Sequence, residues 1–114
     1  MKEKQQTDYW IDSKNGKPKY EFNELYENIN DPWKCSKPEL SDALNNHLFL
    51  EMLFFNNMKY ENILDIGCGL GSFSNEINNR NIGNLLATDI SDVAIKKAKN
   101  IFPKLNFRKF DIIN

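Results

Sequence analysis

Residues 63–74 read ILDIGCGLGSFS, and this stretch narrows the possible folds more than any other part of the chain. Aliphatic residues run into an aspartate, glycines follow at positions 67, 69 and 71, and Ser72 then opens a segment of small and polar residues. A residue without a β-carbon permits a sharp turn and lets another group approach the backbone closely. The stretch therefore predicts a short buried strand, a tight glycine turn and a helix whose first amides lack partners within the helix.

The alternation continues downstream. NLLATDI at 84–90 predicts a second strand, and Ser91 is placed to cap the helix DVAIKKAKNIF at 92–102, which Pro103 stops. LNFRKFDI at 105–112 predicts a third strand. From Glu61 the order is β-α-β-α-β with short connections, which predicts an α/β fold: a Rossmann-like parallel sheet with flanking helices and right-handed crossovers. A doubly wound fold has two such halves, so the sheet is expected to be truncated after its third strand, as a shortened product, a fragment, or a half-domain completed by another chain. ILDI would then be a hydrophobic edge open to a pairing partner.

Upstream, Asn15-Gly16 and Pro18 predict a loose polar arm over the first 19 residues, with Lys14, Lys17 and Lys19 in solvent. Phe22, Leu25, Tyr26 and Ile29 recur at helical spacing and predict a short amphipathic helix ended by Asn30-Asp31-Pro32. Ser41 is placed to cap a longer helix with Ala43, Leu44, Leu48, Met52 and Phe55 on an apolar face, which needs a sheet to pack on.

Composition excludes several functions. The 114 residues suffice for one hydrophobic core, and a net charge of −1 offers no basic field for a nucleic-acid backbone. Cys35 and Cys68 lie in no CxxC pair, so neither a disulfide scaffold nor a zinc site is indicated and no metal is expected. The longest apolar run, LFLEMLFF at 48–55, is broken by Glu51 and falls well short of the roughly 20 residues of a membrane span. A cytoplasmic protein with no membrane partner is the expectation.

Parallel α/β sheets hold ligands beyond the C-terminal ends of their strands. Asp65, Asp89 and Asp111 all fall at or near such ends. Asp89 follows Gly71 by 18 residues, close to the roughly 20-residue offset at which a carboxylate accepts hydrogen bonds from ribose hydroxyls. A nucleoside ligand follows. The dinucleotide fingerprint GxGxxG fits less well, because its third glycine would fall on Ser72 and Asp65 would face a pyrophosphate. A ligand carrying an ammonium and a sulfonium would instead be attracted.

With these residues in place, ILDIGCGLGSFS resembles the first motif of class I S-adenosylmethionine-dependent methyltransferases, an acidic residue followed by GxGxG. The resemblance extends through LLATDIS and FRKFDII and covers residues 61–114. It implies S-adenosyl-L-methionine as cofactor, with Asp65 near its methionine end and Gly67, Gly69 and Gly71 forming the loop beneath. Cys68 belongs to that loop as a small residue that fits rather than as a reactive thiol. Asp89 would bind the ribose hydroxyls, Ile90 would lie beside the adenine, and Asp111 and Ile112 would flank it. ELYENINDPWKC at 24–35 is similar to the segment ahead of the core in bacterial methyltransferases related to nodulation N-methyltransferases. There the preceding helices cover the cofactor cleft. Residues 1–59 would do so here, with Trp33 in a lid or as a packing anchor, and 60–114 would form the first βαβαβ half.

The function implied is methyl transfer to a small-molecule acceptor. His47 reads as structural, Lys96, Lys97 and Lys99 as solvated residues late in a helix, and no catalytic residue is assigned. Two alternatives stay open. One is a non-catalytic scaffold, or a half-domain completed by a partner chain or by self-association at the open edge. The other is an NAD-dependent oxidoreductase, which Ser72 and Asp65 disfavour.

Overall fold

The computed structural model describes residues 3–33 and 59–113. Among these, a 3-10 turn at Gln6–Tyr9 is followed by α1 (Phe22–Asn28), β1 (Asn62–Ile66), α2 (Ser72–Asn79), β2 (Asn84–Asp89), α3 (Asp92–Ile101) and β3 (Asn106–Lys109). The helix expected from Ser41, together with Cys35 and His47, lies outside the described residues.

All strands are parallel, in the order β1-β2-β3, so the expected sheet forms. Register pairs Ile66 with Thr88 and Asp89 with Lys109, which brings the glycine turn, the end of β2 and the end of β3 to one rim. Alternation along the strands turns Ile63, Leu85, Ala87 and Phe107 towards the helices. There, Ile77 of α2 packs with Ile82 and Leu85, and Ile95 and Ala98 of α3 pack with Ala87 and Phe107. The outer residues of β1, Leu64 and Ile66, are 54% and 52% exposed, so this strand is an uncovered apolar edge among the described residues.

Ser91 caps α3 as its sequence position predicts, its Oγ accepting from the Ala94 amide at 3.1 Å. The same hydroxyl donates to Asn23 Oδ1 of α1 at 2.7 Å. A local helix cap is thus also the joint between the N-terminal segment and the sheet.

Several expectations need correction. Expected as part of a loose arm, the described residues 3–19 are folded back instead: Tyr9 is buried with Leu25, Tyr26 and Ala94, and Ile11 bridges Pro18. The physical reason lies in the turn signals themselves. Asn15-Gly16 closes a loop in which the Asp12 amide donates to Lys17 O and the Gly16 amide to Asp12 O, folding the arm back on itself. Lys14 and Lys17 face water, but Lys19 is half-buried and its Nζ donates to Asp8 O at 2.9 Å. In α3, Lys96 and Lys99 are exposed, whereas the Lys97 ammonium donates to the Tyr26 carbonyl of α1. β3 stops at Lys109, so Asp111 lies two residues past its end, in a bend where its Oδ1 accepts from the Ile113 amide at 2.9 Å.

Replacing the α3 cap tests this joint. Ser91→Ala removes the cap and the hydroxyl that donates to Asn23, leaving Asn23 Oδ1 only the Val93 amide at 3.4 Å, and is expected to cost about 1–2 kcal/mol in denaturant unfolding with an unchanged m-value. A loss within about 0.5 kcal/mol, the size of an ordinary surface change, contradicts the assignment.

Candidate functional site

The glycine turn is fastened to β2 by backbone bonds. The amides of Gly67 and Cys68 both donate to Thr88 O at 2.8 Å, and the Gly71 amide donates to Cys68 O at 3.0 Å. Gly67, Gly69 and Gly71 have φ of 77, 55 and 89°, all in the left-handed region. Gly71 is also the N-cap of α2, and a β-carbon there would stand 2.7 Å from the Phe107 ring. At Gly69 a β-carbon would stand 2.8 Å from the Tyr26 hydroxyl. Both neighbours need the glycines: β3 packs against one and α1 against the other. Gly67 differs, because nothing lies within 4 Å of where its β-carbon would be. Its backbone faces open space, ready for a ligand.

Asp89 is 7% exposed, and each of its carboxylate oxygens accepts one backbone amide. Its Oδ2 accepts from the Gly69 amide at 2.8 Å and its Oδ1 from the Ser91 amide at 2.9 Å. A carboxylate oxygen has two lone pairs, so each can accept once more from a ligand hydroxyl. Asp65 accepts from Ser74 Oγ at 2.6 Å, and its own carbonyl accepts from Thr88 Oγ1 at 3.0 Å. Burial raises the Asp65 pKa above the ordinary range; the Ser74 bond opposes this, and the charge of Asp89 adds to it. Burial also pushes the Cys68 thiol up to about 12, helped by Asp89 and Asp65. At neutral pH Cys68 is therefore a protonated, weakly nucleophilic thiol.

Two cavities meet over this turn. The first, about 370 Å³, is lined by Asp65, by Gly67, Cys68, Gly69 and Gly71 and, across from them, by Asp31 and Trp33. The second, about 310 Å³, is lined by Asp89, Ile90, Asp111 and Ile112 on the sheet side and by Tyr20 and Phe22 on the other. Trp33, Ile66 and Gly67 border both. Asp65, Gly67, Cys68, Gly69, Gly71, Asp89, Ile90, Asp111 and Ile112 thus come together around one two-part cleft. Among the described residues, no lysine or arginine lines either part, while carboxylates line both.

The sequence places residues 1–59 over the cleft, but apart from Trp33 it names none of the residues from that segment that line the two cavities. Phe22 and Tyr26 fit a helical period that signals only packing, and Tyr20 belongs to no pattern. For Trp33, which the sequence offers as a lid residue or a packing anchor, the structure shows packing contacts at the border of the cleft. Its Nε1 donates to Tyr26 Oη at 2.9 Å, its ring lies 6.4 Å from that of Trp10, and it borders both cavities.

Residues 63–114 match the family model described as a methyltransferase domain. The fold is shared with the PH0226 protein of Pyrococcus horikoshii OT3, at 24% identity and a TM-score of 0.56 over 77% of this chain and 42% of that one. It is shared equally with an S-adenosylmethionine-dependent methyltransferase of Clostridium acetobutylicum ATCC 824, at 23% identity and a TM-score of 0.56 over 82% of this chain and 38% of that one. The chain thus spans about two fifths of the length of these relatives. No curated protein sequence matches it. Among the described residues, no helix is long and apolar enough to cross a membrane. What these likenesses share is the methyltransferase-domain match over residues 63–114 and the fold.

The buried carboxyl of Asp65 carries a testable pH signature. Its native pKa lies above its unfolded value, so between the two the folded chain binds more protons and stability falls as pH rises. That fall begins near the ordinary aspartate pKa of about 3.9 and ends above the raised native value. Asp65→Asn, which keeps an acceptor for Ser74, is expected to be more thermally stable than the native chain at neutral pH. The advantage should shrink towards pH 4. Equal destabilisation at both pH values contradicts the burial argument.

Proposed function

We propose that this chain, whose residues 63–114 match a methyltransferase-domain model, is the cofactor-binding part of a class I enzyme that transfers a methyl group from S-adenosyl-L-methionine to a small-molecule acceptor. One observation carries the reading: the cleft has two joined parts, carboxylates line both, and no described cation lines either. A pyrophosphate-bearing dinucleotide would meet like charge there, whereas a ligand with an ammonium and a sulfonium meets opposite charge. The bound cofactor would supply an electrophilic sulfonium methyl group.

The residues divide the work of holding it. Asp65 attracts the cationic amino-acid end over Gly67, Cys68, Gly69 and Gly71, and Ser74 fixes the orientation of its carboxylate. Asp89, oriented by the Gly69 and Ser91 amides, accepts from the ribose hydroxyls. Ile90, Ile112 and Asp111 border the adenine. Residues 1–59 act as a cover and 60–114 as the first half of the nucleotide fold; the positions of Tyr20, Phe22, Tyr26 and Trp33 along the cleft support this division. Transfer is then direct attack by the acceptor on the methyl group, with positioning as the contribution of this part of the chain. The unpaired Cys68 suits a reducing compartment such as the cytoplasm.

The exposed outer face of Leu64 and Ile66 favours a second reading, in which β1 pairs with a strand of a partner or of another copy and the chain acts as a scaffold.

Calorimetry separates these readings from each other and from an oxidoreductase. The chain is expected to bind S-adenosylmethionine, to leave NAD unbound, and to lose binding at least tenfold in Asp89→Ala, at about 1.4 kcal/mol per factor of ten. Binding of NAD in preference to S-adenosylmethionine, or an Asp89→Ala variant that binds normally, contradicts the proposal.

A further inference from the structure

The two outer strands of the sheet differ in chemistry. β1 leaves the apolar Leu64 and Ile66 exposed, whereas β3 exposes Arg108 and Lys109. The positive charge extends beyond the strand. From Val93 to Phe110 the chain carries Lys96, Lys97, Lys99, Lys104, Arg108 and Lys109 and no acidic residue, although its net charge is −1. Two of these cations are engaged, the Lys97 ammonium by the Tyr26 carbonyl and Lys109 Nζ by Asp92 Oδ2 at 3.1 Å. Lys96, Lys99, Lys104 and Arg108 are exposed, and their side chains make no hydrogen bond or ion pair with the described residues.

A groove of about 510 Å³ follows this edge. Its lining is apolar at Leu86, Pro103, Leu105 and Phe107 and cationic at Lys99 and Arg108. Phe107 turns towards the helices and Arg108, its neighbour in the strand, to the other face, so the groove takes in both faces of β3. The backbone there is also free. The Phe110 amide donates to Asp89 O at 2.9 Å, and with a period of two the amides and carbonyls of Phe107 and Lys109 point away from β2, where no described strand pairs with them.

An unpaired strand edge is a template for another strand, and cations on it repel a like-charged one. Two copies paired through β3 would set their NFRK segments side by side and double the positive charge, so this edge disfavours its own copies. A strand bearing carboxylates meets the reverse, because opposite charges on neighbouring strands attract and the free backbone groups supply the ladder. A nucleic-acid backbone would use the cations but neither the ladder groups nor the apolar lining.

We infer that the outer edge of β3 is a docking site for an acidic, extended segment of a partner protein, which adds to the sheet beside β3 with its carboxylates near Lys99 and Arg108. No residue of the groove lines either part of the cleft, so the site is separate from the proposed cofactor site and does not rest on it.

Fluorescence anisotropy of the full chain with a labelled, capped peptide of alternating glutamate and valine, about eight residues long, tests it. The chain is expected to bind this peptide and to bind a lysine–valine counterpart about tenfold more weakly or less. Methylating the backbone nitrogens of the glutamate peptide keeps its charge, removes its ladder donors and should abolish binding. Lys99→Glu and Arg108→Glu should each weaken binding by about tenfold. Both side chains are exposed, so the melting temperature of the free chain should not move. In the native chain, peptide binding should protect the Phe107 and Lys109 amides from hydrogen exchange. A glutamate peptide that does not bind, or that binds no better than its lysine or methylated counterpart, overturns the inference. So does tighter binding of a thymidine oligonucleotide than of the peptide, or self-association of the chain that Arg108→Glu abolishes.

Discussion

The arrangement of the site depends on the buried carboxylate of Asp89. It sits where β2 ends and accepts one amide from the glycine turn and one from the start of α3. A buried carboxylate is costly to bury unless hydrogen bonds satisfy it, so the two loops and the charge stabilise each other. Removing the carboxylate would leave two buried amides unpaired as well as taking away the proposed ribose acceptor. In the proposed function, fold and ligand recognition therefore share one side chain.

Around that centre, close approach rather than charge sets the geometry. Gly71 gives Phe107 of β3 room to pack on the turn, and Gly69 gives room to the Tyr26 hydroxyl of α1. Tyr26 accepts from Trp33, and its carbonyl accepts from Lys97 of α3. The N-terminal segment is thus tied to the turn, to α3 through Asn23 and Ser91, and to the rim of both cavities. Asp65, by contrast, pays a desolvation cost that nothing among the described residues fully offsets, as its raised pKa records. A carboxylate held at such a cost beside an open cleft is suited to meeting a cation.

What could be read from the sequence was what is local. Alternation of apolar runs with helical periods placed all three strands and α2 and α3 to within a few residues, and Ser91 was recognisable as a cap from the residues beside it. The glycine turn and its flanking aspartates were legible because their spacing along the chain is the spacing of the site. The rest depends on contacts between distant segments. Tyr9 is buried by Leu25 and Ala94, and Lys97 reaches the carbonyl of Tyr26. No period or motif marks such pairs. The end of β3 lies earlier than expected for a related reason: the apolar residues Phe110 and Ile112 read as strand, but they line a cavity instead of continuing the ladder.

A crystal structure of the chain with S-adenosylhomocysteine, the demethylated form of the proposed cofactor, tests the central claim most directly. The account predicts the amino-acid end over the turn from Gly67 to Gly71 beside Asp65, the ribose hydroxyls on Asp89, and the adenine beside Ile90 and Ile112. A ligand bound in the reverse orientation, or held away from the glycine turn, would contradict it.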